Sequence, residues 1–529
     1  MIHPVYIDGQ WRPADATSTF RAFNPQTREA LPDQYPVSSW ADCEAALSAA
    51  YCAAEGLRGL PGDRIARFLE SMADKIETRA EELVDMAHAE TALPRAPRLA
   101  DAELPRTTGQ LRLAAAAARD GSWSSACIDT QAGIRSYLAP LGPVCVFGPN
   151  NFPFAFGSLS GGDFAAAIAA GNPVIGKANS SHPGTTRIFA EIAAEAEKET
   201  EMPTATVQLL YRTAHEDGER MVADPRVGAT GYTGSRHAGL RLKAAADAAG
   251  NPIYLELSSV NPVVILPGAL RERGDALVTE FAGSCLMGTG QFCTNPGLVL
   301  LLKGDLSDTF ITSVAQQFAA APSGTLLSAG VEKSLRSALD QLVSAGAKVV
   351  GGGADQATNN DGYSVANTVL RVTGSQFVAN PMALQAEAFG NATLFVVADD
   401  VTQLRDAIDR LEGNLTGCIY SDTQGADDQD YDAIVDHLRT RVGRLLNDKM
   451  PTGVAVSAAM NHGGPYPATG HPGFTAVGIP ASLHRFAMLQ CFDNVRPHRL
   501  PTVLRDANPN GTMWRWIDGA WSQQDVTAS

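Results

Sequence analysis

Three short segments carry residue types that could do chemistry. The first, Phe147-Gly148-Pro149-Asn150-Asn151-Phe152-Pro153, is a loop leaving a strand, with two carboxamides that can donate hydrogen bonds. Asn-rich turns also arise from loop geometry alone. The second, Leu255-Glu256-Leu257-Ser258-Ser259-Val260-Asn261-Pro262, puts a carboxylate at the end of an apolar strand. A Glu there is often salt-bridged, but burial also raises a carboxyl pKa towards the range of a general base. The third, Gly288-Thr289-Gly290-Gln291-Phe292-Cys293-Thr294-Asn295-Pro296, holds a cysteine in a loop of small residues after a helix. Most cysteines pack inertly, whereas a loop Cys with such neighbours suits an accessible thiolate nucleophile.

The elements around these segments indicate α/β architecture. Between Leu141 and Glu256, short apolar strands (142–148, 173–177, 206–210, 228–233 and 252–256) alternate with helices near 163–170, 184–198 and 236–249. That alternation predicts right-handed βαβ units and a parallel sheet covered on both faces. Ligands bind such sheets at the carboxyl ends of their strands. A second α/β set begins at Pro262. Its helices are expected near 271–287, 307–321, 330–345 and 402–411, and its strands near 262–266, 348–350, 368–372, 393–397, 417–420 and 441–446. Residues 40–119 carry a helical period, through Ile65, Phe68, Leu69, Met72 and Ile76, and read as scaffold. Asp-Gly pairs in Tyr6–Trp11 and Trp516–Trp521 predict two hairpins. The stretch 121–137 and the Gly-, Pro- and His-rich tail after Pro451 read as arm or cover, with strands that could be lent to a neighbour.

Composition bounds the function. A chain of 529 residues needs more than one core. With 41 Lys+Arg against 57 Asp+Glu, the net charge of −16 disfavours nucleic acid as a partner. The start has no basic region followed by an apolar core, and no run of about 18 apolar residues occurs, so neither a secretory signal nor a membrane span is expected. Eight cysteines without a CxxC or a Cys/His cluster read as reduced and cytoplasmic, with no metal site.

Together the three segments resemble the aldehyde dehydrogenase superfamily. Its asparagine loop is similar to Pro149–Pro153, its Glu-Leu-Gly-Gly segment to Glu256-Leu257-Ser258-Ser259, and its Gly-Gln-x-Cys loop to Gly290-Gln291-Phe292-Cys293. Two more matches are Tyr232-Thr233-Gly234-Ser235 and Glu387-Ala388-Phe389-Gly390-Asn391, where the family has Pro at the last position. Order and spacing agree over roughly residues 5–490. Within the superfamily, Ser258–Pro262, His182-Pro183-Gly184-Thr185 and His462–Thr469 resemble the α-ketoglutaric semialdehyde (2,5-dioxopentanoate) dehydrogenase branch.

The resemblance implies a Rossmann-like cofactor domain (1–120 and 142–261), an α/β catalytic domain (262–455), and a small β oligomerisation arm with a C-terminal tail (121–141 and 456–529). It implies oxidation of an aldehyde, such as 2,5-dioxopentanoate, to the acid by a homodimer or homotetramer. Cys293 would form a thiohemiacetal and then a thioester, Asn151 and the Cys293 N–H would hold the oxyanion, and Glu256 would activate water. Phe147, Gly148, Pro149 and Leu257 would line the nicotinamide site; Lys177 and Ser180 would meet the adenosine ribose; Gly234 and Ser235 would face the pyrophosphate; Glu387 and Phe389 would hold the second ribose. NAD-preferring relatives often carry Glu where Ser180 stands, and NADP-preferring ones Arg where His215 stands. Ser180 removes a charge that would repel a 2′-phosphate, and Lys177 with Arg212 could offset the missing Arg, so of NADP and NAD the reading leans to NADP. The alternatives are another aliphatic or aromatic aldehyde, a CoA-acylating enzyme or cysteine hydrolase sharing the thioester, and a catalytically silent relative. Glu256 favours water over CoA as acceptor.

Overall fold

A computed structural model describes residues 2–527. Five apolar runs, Val144–Phe147, Val174–Lys177, Val207–Leu210, Ala229–Thr233 and Ile253–Glu256, form parallel strands of one sheet. Strands apolar on both sides need cover on both faces. One continuous core joins them to the helices Gly162–Ala169 and Pro183–Glu199 and to the helical region from Trp40 to Asp120. Across the sheet the order is Ile253–Glu256, Ala229–Thr233, Val144–Phe147, Val174–Lys177, Val207–Leu210, and then the Val5–Arg12 hairpin at the edge. All five run parallel, but the order in which the chain adds strands reverses between Val144–Phe147 and Ala229–Thr233. The ligand crevice of a doubly wound sheet therefore opens just beyond Phe147 and Thr233.

The second sheet also has seven strands. Its order is Lys348–Gly351, Thr368–Thr373, Ala392–Ala398, Leu298–Leu302, Val263–Ile265, Asn414–Tyr420 and Val442–Asn447, all parallel except the antiparallel first strand. Leu298–Leu302 lies at its centre, although it is not among the strands expected from sequence. Five consecutive apolar residues carry no period, so a buried strand there cannot be told from part of a helix. Helices His215–Val222 and Asp428–Arg439 are likewise additional to the expected set. Both Asp-Gly hairpins form, with positive φ at Asp8 and Gly9 (53° and 69°) and at Asp518 and Gly519 (48° and 91°), the backbone of a type I′ turn.

The tail after Pro451 divides. Around Ala468–Gly470 it runs along the last strand of the first sheet: Leu257 N donates to the Ala468 carbonyl at 2.8 Å and Gly470 N to that of Leu255 at 3.0 Å. Residues 487–522 instead build a five-stranded sheet with 127–140, in which Ala487–Asp493 pairs antiparallel with Ile134–Pro140 over seven positions. These strands thus find their partners within the chain. Ala487–Asp493 remains an open edge and leaves Met488 and Leu489 exposed.

Two glycines calibrate this packing. A Cβ on Gly290, where φ is +68°, would stand 2.0 Å from the Gly390 carbonyl oxygen, so the two loops touch through bare backbone. Gly109, inside helix Leu104–Asp120, would meet nothing within 4 Å. Gly290→Ala is expected to lower the thermal midpoint and abolish turnover. Gly109→Ala is expected to stabilise by about 0.5–1 kcal/mol through helix propensity. Equal midpoints for the two variants in a thermal melt would contradict the close approach.

Candidate active site

The asparagine loop hangs from a buried ion pair. Glu103 Oε1 accepts from the N–H groups of Phe154 and Ala155 at 2.8 and 3.0 Å, and its other oxygen pairs with Arg98. Arg98 in turn donates to the Asn151 carbonyl at 3.0 Å and lies over the Phe152 ring at 4.2 Å. His182 Nε2 contacts the Pro149 carbonyl oxygen at 2.9 Å. Asn151 itself is buried, and its Nδ2 donates to the Gln291 carbonyl at 3.0 Å. A carboxamide has two N–H hydrogens. One orients the side chain on Gln291, and the second is left for another acceptor.

The cysteine loop is tied to the glutamate segment through Asn261. In the left-handed region at φ 46°, Asn261 uses its Nδ2 to donate to the carbonyls of Cys293 and Asn295, both at 2.9 Å. The Ser259 hydroxyl bonds Asn261 Oδ1 at 2.8 Å and accepts from Leu415 N at 3.0 Å, while Asn414 Oδ1 accepts from Val260 N at 2.9 Å. Ser259, standing where the family has Gly, therefore has a structural use. Asn391, standing where the family has Pro, does too: its Nδ2 bonds the Val365 carbonyl at 2.9 Å and Asn367 Oδ1 at 2.6 Å, pinning the loop that touches Gly290.

Glu256 ends its strand 1% exposed. Its Oε1 lies 3.0 Å from His462 Nε2, and that nitrogen is 3.4 Å from Cys293 Sγ. With Glu256 ionised, Nε2 carries a hydrogen and donates to the carboxylate, with the sulfur as a second, longer acceptor. The Glu256 Oε2 atom is buried without a partner. Burial first, and then the Glu256 charge, hold the Cys293 thiol well above its ordinary range; Arg106 acts the other way. The thiol can thus be poised beside the group able to take its proton. The Cys293 N–H makes no hydrogen bond among the described residues and faces no competitor for an oxyanion.

In the sequence His462 stands out only as the start of the segment that resembles the semialdehyde branch, and Arg106 and Arg444 do not stand out at all. His462 is 1% exposed and is brought in by the tail, with its N–H on Thr475 Oγ1 at 3.1 Å. Arg106 stacks over the Phe156 ring at 5.3 Å, and Phe156 packs edge-on against His462. Arg106 Nη1 donates to the Val454 carbonyl at 2.8 Å, leaving Nε and Nη2 buried and unpartnered. Arg444 holds the same segment through the Pro451 and Gly453 carbonyls at 2.9 and 3.2 Å. Neither guanidinium pairs with a carboxylate among the described residues, and both interact electrostatically with the Cys293 thiol. Buried cations without an anion are the only signal that could have marked them, and burial is not written in sequence.

The residues expected to hold a cofactor fall around the crevice. Phe147, Gly148 and Pro149 leave one strand and Gly234 and Ser235 leave the next, with Ser235 capping helix Arg236–Ala249. A Cβ on Gly234 would stand 2.7 Å from the Tyr232 hydroxyl. A cleft of about 700 Å³ opens at the first residue of helix Arg236–Ala249, lined by Arg236, Ser258, Ser259, Glu387 and Asn414. Glu387 accepts from Ser259 N at 3.1 Å and burial pushes its carboxyl up to about 7. Leu257 is buried beside Glu256, and Phe389 lines a small interior cavity with Phe292. Lys177 and Ser180 flank the exit of the strand Val174–Lys177, and burial, then Arg212, lowers the Lys177 ammonium to about 8. His215 begins helix His215–Val222 and is exposed to solvent. A helix start after one strand and a half-buried ammonium at the end of another fit a dinucleotide.

Residues 11–457 match the aldehyde dehydrogenase family. The chain is 40% identical to α-ketoglutaric semialdehyde dehydrogenase 2 of Azospirillum brasilense over 94% of its length and 95% of that protein. It is 34% identical to α-ketoglutaric semialdehyde dehydrogenase of Acinetobacter baylyi, covering 95% and 96%. Its fold is similar to the crystal structure of betaine aldehyde dehydrogenase from Staphylococcus aureus in complex with NAD+, with a TM-score of 0.80 at 20% identity over 94% of this chain and 95% of that one.

The raised thiol gives a pH prediction. Without cofactor, alkylation of Cys293 by iodoacetamide should accelerate only above the pH at which free thiols titrate. Glu256→Gln removes one of the raising causes and should move the inflection to lower pH. An inflection unmoved by that substitution would show that the carboxylate does not act on the thiol.

Proposed function

The chain belongs to the aldehyde dehydrogenase family and oxidises an aldehyde to the acid with NAD(P)+, and we propose that its substrate is a semialdehyde bearing a distal carboxylate, of which 2,5-dioxopentanoate is the model. The observation that carries this reading is the Arg106 guanidinium, which has no carboxylate partner among the described residues, keeps Nε and Nη2 unpartnered, and acts electrostatically on the Cys293 thiol. Val454 offers it a neutral carbonyl, which an incoming carboxylate can replace. Charge-assisted bidentate pairing would then orient the aldehyde end toward Cys293. The names of the two curated relatives support the same class.

In this reading Glu256, with His462 holding its Oε1, accepts the Cys293 proton, and the thiolate adds to the carbonyl carbon. The oxygen of the resulting thiohemiacetal takes its negative charge to the free N–H of Asn151 and the backbone N–H of Cys293. Phe147, Gly148 and Pro149 would hold a nicotinamide at the strand end, where NAD(P)+ would supply the hydride acceptor that lets the carbonyl re-form as a thioester. Glu256 passes the first proton to solvent; water then attacks the thioester on Cys293 and gives a proton to Glu256, which returns it to the departing sulfur, so that the acid and the thiol are released. The burial of Glu256 and its unpartnered Oε2 leave a lone pair for that proton.

Lys177, with Arg212 nearby and Ser180 in place of a carboxylate, supports NADP as the preferred cofactor. A phosphate would restore full charge to an ammonium now weakened by burial. We keep the domain division expected from sequence, with the open Ala487–Asp493 edge as the surface offered to another copy in a homodimer or homotetramer. Among the described residues no helix is long and apolar enough to cross a membrane. The eight free cysteines support a cytoplasmic location.

Two measurements test the proposal. The purified enzyme should prefer ω-carboxylate aldehydes to neutral aldehydes of equal length, and Arg106→Gln should raise KM for the former by about 10–150-fold, the worth of a charge-assisted hydrogen bond. A neutral or aromatic aldehyde used as well by both proteins would refute the semialdehyde reading. The ratio of kcat/KM with NADP to that with NAD should exceed one and fall on Ser180→Glu; a strong NAD preference in the unmodified enzyme would overturn the assignment.

A further inference from the structure

We propose that Glu256, His462 and Cys293 form a binding site for Zn2+ in the cofactor-free enzyme, at which the metal acts as a reversible inhibitor. The inference rests on Cys293 being the nucleophile.

The three donors are of the types zinc takes: thiolate sulfur, imidazole nitrogen and carboxylate oxygen. Their ligand atoms all lie within 4.8 Å of one another. Tetrahedral zinc with ordinary bond lengths spaces its ligand atoms roughly 3.3–3.6 Å apart. Here Sγ and Nε2 are 3.4 Å apart, and Nε2 and Glu256 Oε1 are 3.0 Å apart. Two edges of the tetrahedron are therefore nearly in place before any metal enters.

The donors are also held from behind. His462 is fixed by its N–H on Thr475 Oγ1 and by its carbonyl, which accepts from Ala476 N at 2.9 Å. Cys293 is fixed by Asn261 on its carbonyl. A thiolate and a carboxylate cancel the charge of the dication, so the buried complex is neutral overall. The unpartnered Oε2 of Glu256 shows that the site leaves acceptor capacity unused. Arg106 and Arg444 oppose a cation here and weaken the site relative to a bare Cys-His-Glu set. On binding, the Cys293 S–H proton leaves for solvent, the neutral His462 ring loses its Nε2 hydrogen and gains one at Nδ1 through solvent, and Zn–S, Zn–N and Zn–O bonds form, with water in the fourth position. The lone pair that would attack the aldehyde is then committed to the metal, so metal and substrate exclude each other. The role of His462 separates this site from a simple thiol–carboxylate pair, because it supplies the third ligand.

The test uses the full-length, chelator-treated enzyme. Equilibrium dialysis should find one Zn2+ per chain. Zinc should protect Cys293 from iodoacetamide, and EDTA should restore both alkylation and turnover. With Co2+ as a spectroscopic probe, a thiolate-to-metal charge-transfer band should appear, vanish in Cys293→Ser and survive in Cys52→Ser, an exposed thiol far in sequence from the loop. His462→Phe should weaken dialysed zinc at least tenfold, with its thermal midpoint reporting that it remains folded. No thiolate band, no protection, or equal zinc affinity in His462→Phe would overturn the proposal. Failure of the underlying reading looks different: Cys293→Ser would then still produce NAD(P)H from aldehyde.

Discussion

A thiol and a carboxylate held together away from water are each poorly placed to carry charge, and the structure around the site is arranged to keep them there. Burial and Glu256 both disfavour the Cys293 thiolate. The pair stays in register because Asn261 fastens the cysteine loop to the segment that carries Glu256, and His462 touches both side chains. The arrangement suits a nucleophile that should be released only when the site is filled: positive charge near the thiol, whether from the two arginines or from a bound nicotinamide, shifts the balance towards thiolate.

Holding that register demands rigid loops, and the means are polar and buried. Glu103 and Arg98 suspend the asparagine loop, and Asn414 and Ser259 close the turn after Glu256. The cysteine and Gly390 loops meet through backbone with no room for a methyl group. Each buried polar group costs desolvation unless it is paired. Among the buried atoms left without a partner are Glu256 Oε2 and the Arg106 Nε and Nη2, which belong to groups that act electrostatically on the Cys293 thiol.

The two sheets serve this geometry from either side. The reversal of strand order between Val144–Phe147 and Ala229–Thr233 opens a crevice at their carboxyl ends, and the strand Ile253–Glu256 at one end of the sheet delivers Glu256. The second sheet delivers the nucleophile on the loop before Leu298–Leu302. The tail then covers the seam, bridging Glu256 to Thr469 and lowering His462 into it.

Much of this was legible in the residues. Helix Arg236–Ala249 and the two Asp-Gly hairpins follow from local period and turn chemistry, because those signals act over a few residues. The family motifs identified Asn151, Glu256 and Cys293, and the structure brings all three to one site. Leu298–Leu302 was not legible, since an unbroken apolar run has no period to read. The pairing of His462 with residues 206 and 169 positions earlier was not legible either. Nor was the want of a partner at Arg106, which depends on how distant segments such as those of Phe156 and Val454 pack around it. Sequence by itself determined the α/β class, the family and the chemical types at the centre, because these are local patterns and side-chain identities. Only the tertiary structure decided which histidine joins the thiol and which cations lie buried without an anion, because burial and contact between distant segments exist only once the chain has folded.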